Sequence, residues 1–343
     1  MELNPVGLNG MDFIEYCGPK ARELEALFLR LGMTAVAQHK SKKIKLFKQG
    51  DIQFFLSEEA SGFTADFGKA HGPSICSTGF RVENADKAFK TAVERGGKPF
   101  VQEPQKSFAA PAIYGIGDSL IYFIDEAVKQ KIYQSEFNFN PNTLEPKGKG
   151  LLVIDHLTNN VPVGEMQKWC DFYEHIFNFK ERRFFDIKGA KTGLISKVMR
   201  SPCGKITIPI NEPTDKKSQI QEYLEEYDGS GIQHVALTTD DICSSISQLR
   251  KDGIPVLDIP ATYYEMIPQR LPQVTEDIEE LKDLQILVDG DPEGYLLQLF
   301  TKNLIGPIFF EFIQRKNHFG FGEGNFQALF EAIERDQARR GVL

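Results

Sequence analysis

The sequence predicts an α+β fold of two tandem domains, each made of paired βαβββ units curled into an open, barrel-like mixed sheet with helices outside and a cavity inside. Three observations lead there. The chain has 343 residues, enough for two domains at roughly 150 each. A polar stretch from Phe137 to Gly150, FNFNPNTLEPKGKG, interrupts the apolar periodicity and reads as a linker. On both sides of it the order is the same: short strands rich in Phe, Ile and Val, an amphipathic helix, then more strands.

The two halves also match each other in detail. MDFIEYCGP lines up with IDHLTNNVP, which sets Asp12-Phe13 against Asp155-His156. STGFRVENADKAFKTAVERGG lines up with HVALTTDDICSSISQLRKDG, with Phe80 against Leu237 and Ser77 against His234. In each copy a strand leads into a helix behind a capping side chain, Asn84 or Asp241, and the helix stops at a glycine, Gly96 or Gly253. Farther on, AIYGIGDSLIYFID resembles LVDGDPEGYLLQLF, each a Gly/Asp turn followed by an apolar strand. An internal period of about seventy to eighty residues fits repeated units of one architecture. The expected division is an N-terminal structural domain, 1–145, and a C-terminal catalytic domain, 151–343.

Composition narrows the function. With 41% hydrophobic and 26% charged residues the chain has the balance of a folded, enzyme-sized protein. A net charge of −8 repels phosphate backbones and anionic lipid, which argues against nucleic-acid and membrane partners. No apolar run approaches the ~18 residues of a membrane span, and MELNPVGLNG lacks the pattern of a secretory leader, so a cytoplasmic protein is expected. Cys17, Cys76, Cys170, Cys203 and Cys243 are scattered and form no CxxC pair; they read as reduced, semi-buried hydrophobes.

Six histidines leave few candidates for chemistry. His156 in LLVIDHLTNN and His234 in GIQHVALTTDD each stand in an apolar strand, 78 residues apart. Another 77 residues reach Glu311 in GPIFFEFIQRK, a carboxylate among Phe and Ile that needs a cation or hydrogen bonds. Two imidazoles and a carboxylate from three strands form the facial set typical of non-haem Fe(II), with three positions left for substrate and dioxygen. The alternative for each alone is a hydrogen-bonded core residue. Phe13 and Ser77 occupy the matching N-terminal positions, so that half carries the scaffold without the ligands. His175 falls on a helix whose apolar face is Met166, Trp169, Tyr173 and Ile176 or Phe177, His39 and His71 read as surface residues, and His318 lies in a loop.

The segments INEPTDKKSQIQEYLEEYDGSGIQHVAL, LLQLFTK, FFEFIQR and GFGEGNFQALFEAIERDQ resemble the 4-hydroxyphenylpyruvate dioxygenases of the vicinal-oxygen-chelate, or glyoxalase-like, superfamily, and the resemblance covers essentially the whole chain. It implies His156, His234 and Glu311 as ligands of Fe(II). It implies a substrate pocket of Ser196, Asn211, Gln219, Gln233, Gln298, Phe300, Phe309, Phe321, Asn325 and Phe326. Amides such as Asn211 and Gln219 suit a phenol and phenylalanines suit its ring, although any one of the 27 Phe residues is as readily ordinary core. Gln233 and Gln298 are candidates for orienting substrate or iron-bound groups.

The implied reaction takes an aromatic 2-oxo acid, 4-hydroxyphenylpyruvate, and O2 to homogentisate and CO2. The 2-oxo acid would chelate the iron and its decarboxylation would supply two electrons. A homo-oligomer, dimer or tetramer, is the expected assembly. Two alternatives remain: a 4-hydroxymandelate synthase on the same fold, from which Pro209 and Asn211 argue away, and a non-catalytic protein that binds an aromatic ligand. GFGEGNF lacks the Lys-Ser/Thr and Rossmann context of a nucleotide loop. The helix after it, with Phe326, Leu329, Phe330 and Ile333 on one face and Gly320, Gly322 and Gly324 before it, is expected to close over the cavity as a lid.

Overall fold

The computed structural model describes residues 3–102, 105–143, 148–188, 193–322, 324–326, 334, 337, 338 and 340–342. The N-terminal half runs β1 (Leu8–Cys17), α1 (Ala21–Arg30), β2 (Thr34–His39), β3 (Ile44–Gln49), β4 (Ile52–Ser57), α2 (Phe63–His71), β5 (Ser74–Val82), α3 (Ala85–Glu94), β6 (Ala112–Tyr114), β7 (Leu120–Ile124), α4 (Glu126–Lys131) and β8 (Phe137–Phe139). The C-terminal half runs β9 (Leu151–Asn160), α5 (Met166–Phe177), β10 (Lys180–Lys188), β11 (Gly193–Arg200), β12 (Thr207–Pro213), α6 (Gln219–Tyr227), β13 (Gly231–Thr239), α7 (Ile242–Lys251), three short helices between Ala261 and Leu284, β14 (Leu287–Asp291), β15 (Gly294–Phe300) and β16 (Phe309–Lys316). Each half is one eight-stranded mixed sheet, ordered β6-β7-β5-β1-β4-β3-β2-β8 and β10-β11-β12-β9-β13-β16-β15-β14. Among the described residues no helix is long and apolar enough to cross a membrane.

The duplication holds at the level of caps and register. Asn84 accepts the Lys87 amide and Asp241 the Ser244 amide, and Gly96 and Gly253 take positive φ just beyond the two helices. Phe13 lies opposite Gly79 as His156 lies opposite Ala236. The parallel pairing of β5 with β7 sets Gly79 against Tyr122, and that of β13 with β16 sets Ala236 against Glu311. Phe13, Ser77 and Tyr122 therefore stand where the other half has His156, His234 and Glu311.

The N-terminal interior is consequently filled: the Phe13 ring packs at 5.1 Å on both Phe55 and Phe108 and at 5.9 Å on Tyr122. A Cβ at position 79 would come within 2.4 Å of that ring, which explains the glycine.

Four expectations are corrected. The counterpart of LIYFI in β7 is FFEFI in β16, not YLLQLF, because β7 and β16 pair with the central strand while β15 does not; successive hairpins share one turn-and-strand pattern and only pairing tells them apart. The linker begins later than Phe137, since Phe137–Phe139 form edge strand β8 on β2. His39 is buried, its Nε2 3.4 Å from Glu136 and its ring against Phe137. His71 joins the two halves: its ring stacks on Tyr227 at 4.6 Å and its Nδ1 meets the Tyr227 carbonyl at 2.7 Å. Polar neighbours in sequence do not reveal what covers a residue in space.

His175 is exposed on α5, as expected, and all five cysteines are free. Of the expected lid stripe, Leu329, Phe330 and Ile333 lie outside the described residues.

Glu15, on β1, is fully buried beside the Ser77 hydroxyl, which donates to it at 2.5 Å, and burial pushes its carboxyl up to about 7. A folded-state value above the ordinary one gives stability that is present below the unfolded pKa and lost as pH rises through about 7. Glu15→Gln should thus change stability little near pH 5 and stabilise the fold by on the order of 3 kcal/mol near pH 9. Urea unfolding at the two pH values checks this; an effect of the same size at both would contradict it.

Candidate metal centre

Three central strands carry the candidate ligands inward: His156 on β9, His234 on β13 and Glu311 on β16. All three side chains are buried or nearly so, and their donor atoms converge. His156 Nε2 lies 3.3 Å from His234 Nε2 and 3.1 Å from Glu311 Oε2, which is 3.4 Å from His234 Nε2. Bonds of about 2.0–2.2 Å meeting at right angles put donor atoms ~3 Å apart, so the triangle fits a single ion on one face. Two imidazoles and a carboxylate are donors that a divalent transition metal accepts. Among the described residues this is the group of His, Cys, Asp and Glu that could hold one.

Each histidine is fixed by the residue before it. Neighbouring residues of a regular strand point to opposite faces. Here β9 pairs with β13 through His156↔Ala236 and then Ile154↔Leu237, so Asp155 is an extra, bulged residue. Similarly, Asn159↔Ile232 is followed by Thr158↔His234, which leaves Gln233 as the extra residue of β13. Both bulges turn the preceding side chain onto its histidine: Asp155 Oδ2 meets His156 Nδ1 at 2.8 Å and Gln233 Oε1 meets His234 Nδ1 at 3.2 Å. With Nδ1–H donated outward, each Nε2 presents its lone pair to the centre. Arg315 clamps Asp155 with two bonds of 3.0 and 2.8 Å.

Glu311 is held by a chain of amides. Gln298 donates to Glu311 Oε1 at 2.9 Å, Asn325 donates to Gln298 Oε1 at 3.0 Å, and the Tyr263 hydroxyl meets Asn325 Oδ1 at 2.6 Å. Gly322, at φ 74°, lies over Gln298 so closely that a Cβ would come within 1.9 Å of its Oε1.

Electrostatics follow from this packing. Burial resists charge on His156, but Glu311 and Asp155 outweigh it and raise the imidazole to about 9. Burial also resists charge on Glu311, yet the two imidazoles bring it down to about 2. Asp155, buried beside His156 and Arg315, is held well below the usual carboxylate range, and burial together with the neighbouring His156 lowers His234.

Beside the triad is a cavity lined by Ser196, Asn211, Gln219, Gln233, Phe300, Phe309, Phe321 and Phe326, with Thr158, Phe185, Ile187, Leu194, Val198 and Pro209 completing its wall. Phe309 stacks on His234 at 4.8 Å, and Phe321 meets His156 edge-on at 5.7 Å. Gln298 and Asn325, also expected in the pocket, are not among the side chains that line this cavity; their amides join the chain behind Glu311. Sequence reasoning missed the apolar wall and the support of Asp155, Arg315 and Tyr263. Asp155 had one signal, its place directly before His156, but a bulge leaves no mark in residue order.

Residues 3–138 match the family described as hydroxyphenylpyruvate dioxygenase, N-terminal, and residues 153–266 the glyoxalase/bleomycin resistance protein/dioxygenase superfamily. The chain is 53% identical to protein MelA of Shewanella colwelliana, covering 100% of this chain and 99% of that one. It is 52% identical to 4-hydroxyphenylpyruvate dioxygenase of Legionella pneumophila strain Corby, covering 99% and 98%. The chain belongs to the 4-hydroxyphenylpyruvate dioxygenase family. Among solved structures, a fusion of a xylose isomerase-like TIM barrel with a 4-hydroxyphenylpyruvate dioxygenase superposes with a TM-score of 0.84 at 30% identity, over 97% of this chain and 54% of the fusion. Membership of the family makes the chain an enzyme, a dioxygenase on the vicinal-oxygen-chelate fold.

Asp155→Asn keeps the shape of the dioxygenase site but removes the charge that orients His156. Affinity for Fe(II), measured by competition with a chromogenic chelator, should fall on the order of 10–100-fold with unchanged circular dichroism. Unchanged affinity would show that Asp155 does not support the ligand.

Proposed function

We propose that this enzyme converts 4-hydroxyphenylpyruvate and O2 to homogentisate and CO2 with Fe(II) bound by His156, His234 and Glu311. The observation that carries the reading is the convergence of three donor atoms within 3.4 Å at the edge of a cavity walled by phenylalanines and amides. Bound there, iron supplies open positions for chelating the 2-oxo acid and for activating O2. The rest is the work of the protein.

Phe300, Phe309, Phe321 and Phe326 enclose the ring, while Ser196, Asn211 and Gln219 offer hydrogen bonds to the phenol. Gln233 and Gln298 act as positioning residues through His234 and Glu311, the groups their amides touch. A ring bound in this cavity displaces solvent from the reacting atoms. Residues 1–145 form a structural domain and 151–343 the catalytic one, a division supported by Phe13, Ser77 and Tyr122 standing at the ligand positions of the first half. Five free cysteines suit the reducing cytoplasm, where the enzyme works as a homo-oligomer, a dimer or tetramer.

Incubating the Fe(II)-loaded protein with 4-hydroxyphenylpyruvate under oxygen should give homogentisate and CO2 in equal amounts. Formation of 4-hydroxymandelate would place the chain on the other branch of the fold, and no product would leave it a binder of aromatic ligands. His156→Ala, His234→Ala and Glu311→Ala should each lose stoichiometric iron and all turnover while remaining folded; iron retained in full by any one of them removes that residue from the ligand set.

A further inference from the structure

One residue of the cavity wall is polar, buried and without a protein partner for its hydroxyl. Thr158 stands two residues after His156 on β9, so the two side chains face the same way, and both line the cavity. Thr158 is 2% exposed, and its hydroxyl has no hydrogen-bond partner among the described residues. A hydroxyl buried in this way destabilises a fold, and valine would fill the same space without it.

The strand register shows why no partner is near. His234 lies directly opposite Thr158 on β13, and Phe309 of β16 lies opposite His234. On the other flank β12 brings Pro209, two residues before the Asn211 that pairs with Asn160, and β11 brings Val198 opposite Pro209. All of these side chains line the cavity, so one row across the sheet reads Val198, Pro209, Thr158, His234, Phe309. That row offers the hydroxyl no acceptor, because His234 Nδ1 is engaged with Gln233 and its Nε2 faces Glu311. The next polar side chain on this face of β9, Asn160, turns its Oδ1 to the Asn211 amide at 3.2 Å.

The N-terminal half carries a polar group at the same position and supplies its partner. Glu15 takes the place of Thr158 in the pairing of β1 with β5, and Ser77, at the place of His234, donates to it at 2.5 Å. In the C-terminal half a metal ligand stands where that serine would be, and the polar group opposite it remains. What the Thr158 hydroxyl can meet is an atom of a molecule bound in the cavity.

We propose that Thr158 is a specificity-determining residue whose hydroxyl donates a hydrogen bond to the carboxylate of the 2-oxo acid held at the metal. The inference rests on the proposed substrate class. Thr158 shares its row with the ligand His234, so it addresses the head of the molecule. Ser196 and Asn211, which face each other across β11 and β12, belong to the next row, ~6.6–6.8 Å farther along the strands, and address the ring end. A hydrogen bond to an ionised acceptor in a buried site is worth about 10–100-fold in affinity.

The test compares Thr158→Val, which removes the hydroxyl and keeps the shape, with Thr158→Ser, which keeps the hydroxyl. Phenylpyruvate and 4-hydroxyphenylpyruvate are titrated into each Fe(II)-loaded protein under nitrogen by calorimetry, iron affinity is measured by chelator competition, and Tm is read without ligand. Thr158→Val should bind both acids about 10–100-fold more weakly and by the same factor, so that the preference between them, set at the ring end, is kept. Thr158→Ser should stay within about threefold of the parent. Iron affinity should be that of the parent, and the Tm of Thr158→Val should equal or exceed the parent's, because the hydroxyl it loses has no protein partner. Equal binding by Thr158→Val and the parent would overturn the proposal, as would a lowered Tm or weakened iron binding in Thr158→Val, either of which would give the hydroxyl a structural role. If the parent binds both acids with this dependence on Thr158 but forms no product under oxygen, the assigned reaction is refuted and the hydrogen bond stands; if it forms homogentisate while Thr158→Val binds as the parent does, the proposal alone falls.

Discussion

The hydrogen bond from each histidine's Nδ1 to the residue just before it in the chain is the interaction on which the metal centre depends, and a regular strand cannot make it. Alternation would send Asp155 and Gln233 to the far face of the sheet from His156 and His234. The extra residue at each position cancels the alternation, so the carboxylate and the amide arrive beside the rings they orient. Once Nδ1 is engaged, the lone pair at Nε2 has one direction left to point, and both point at Glu311. Glu311 is oriented from behind by Gln298 and Asn325, with Gly322 giving the backbone room to lie against the amide. The three donor atoms are therefore preorganised by backbone irregularities and amides more than by the ligands themselves.

The N-terminal half contains the same irregularities without the chemistry. Its central strands skip Asp12 and Cys76, the counterparts of Asp155 and Gln233. Asp12 is paired with Arg81 and Lys129, and the space a metal would need is occupied by Phe13, Phe55, Phe108 and Tyr122. The bulges thus belong to the architecture and are used for different ends: a solid aromatic core in one half, a hollow with inward donors in the other. The two are bound together by a continuous core that includes contacts such as Phe54 with Phe310 and Phe80 with Phe177.

How much of this was legible in the sequence follows from what sequence patterns encode. Caps and stops at Asn84, Gly96, Asp241 and Gly253 depend on local chemistry, and they were read correctly. His156 and His234 could be paired because each stands on the first strand of a repeated unit, whereas Glu311, on the last strand of the second unit, was reached by a similar spacing and by its apolar surroundings. Strand pairing was not legible: it decides that β7 corresponds to β16, and the two hairpins at issue have the same turn-and-strand pattern. Burial of His39 and the stacking of His71 on Tyr227 depend on contacts between distant segments. Gln298 and Asn325 were assigned to the right neighbourhood, but the chain of amides that ties them to Glu311 depends on contacts between distant segments and leaves no mark in residue type.

The chemistry of the site depends most directly on the position of the metal. Crystals of the Fe(II)-loaded enzyme measured on either side of the iron absorption edge should give one strong anomalous peak per chain, about 2.0–2.2 Å from His156 Nε2, His234 Nε2 and a Glu311 oxygen. A peak ligated by other residues, or none at this triangle in protein that carries stoichiometric iron, would contradict it.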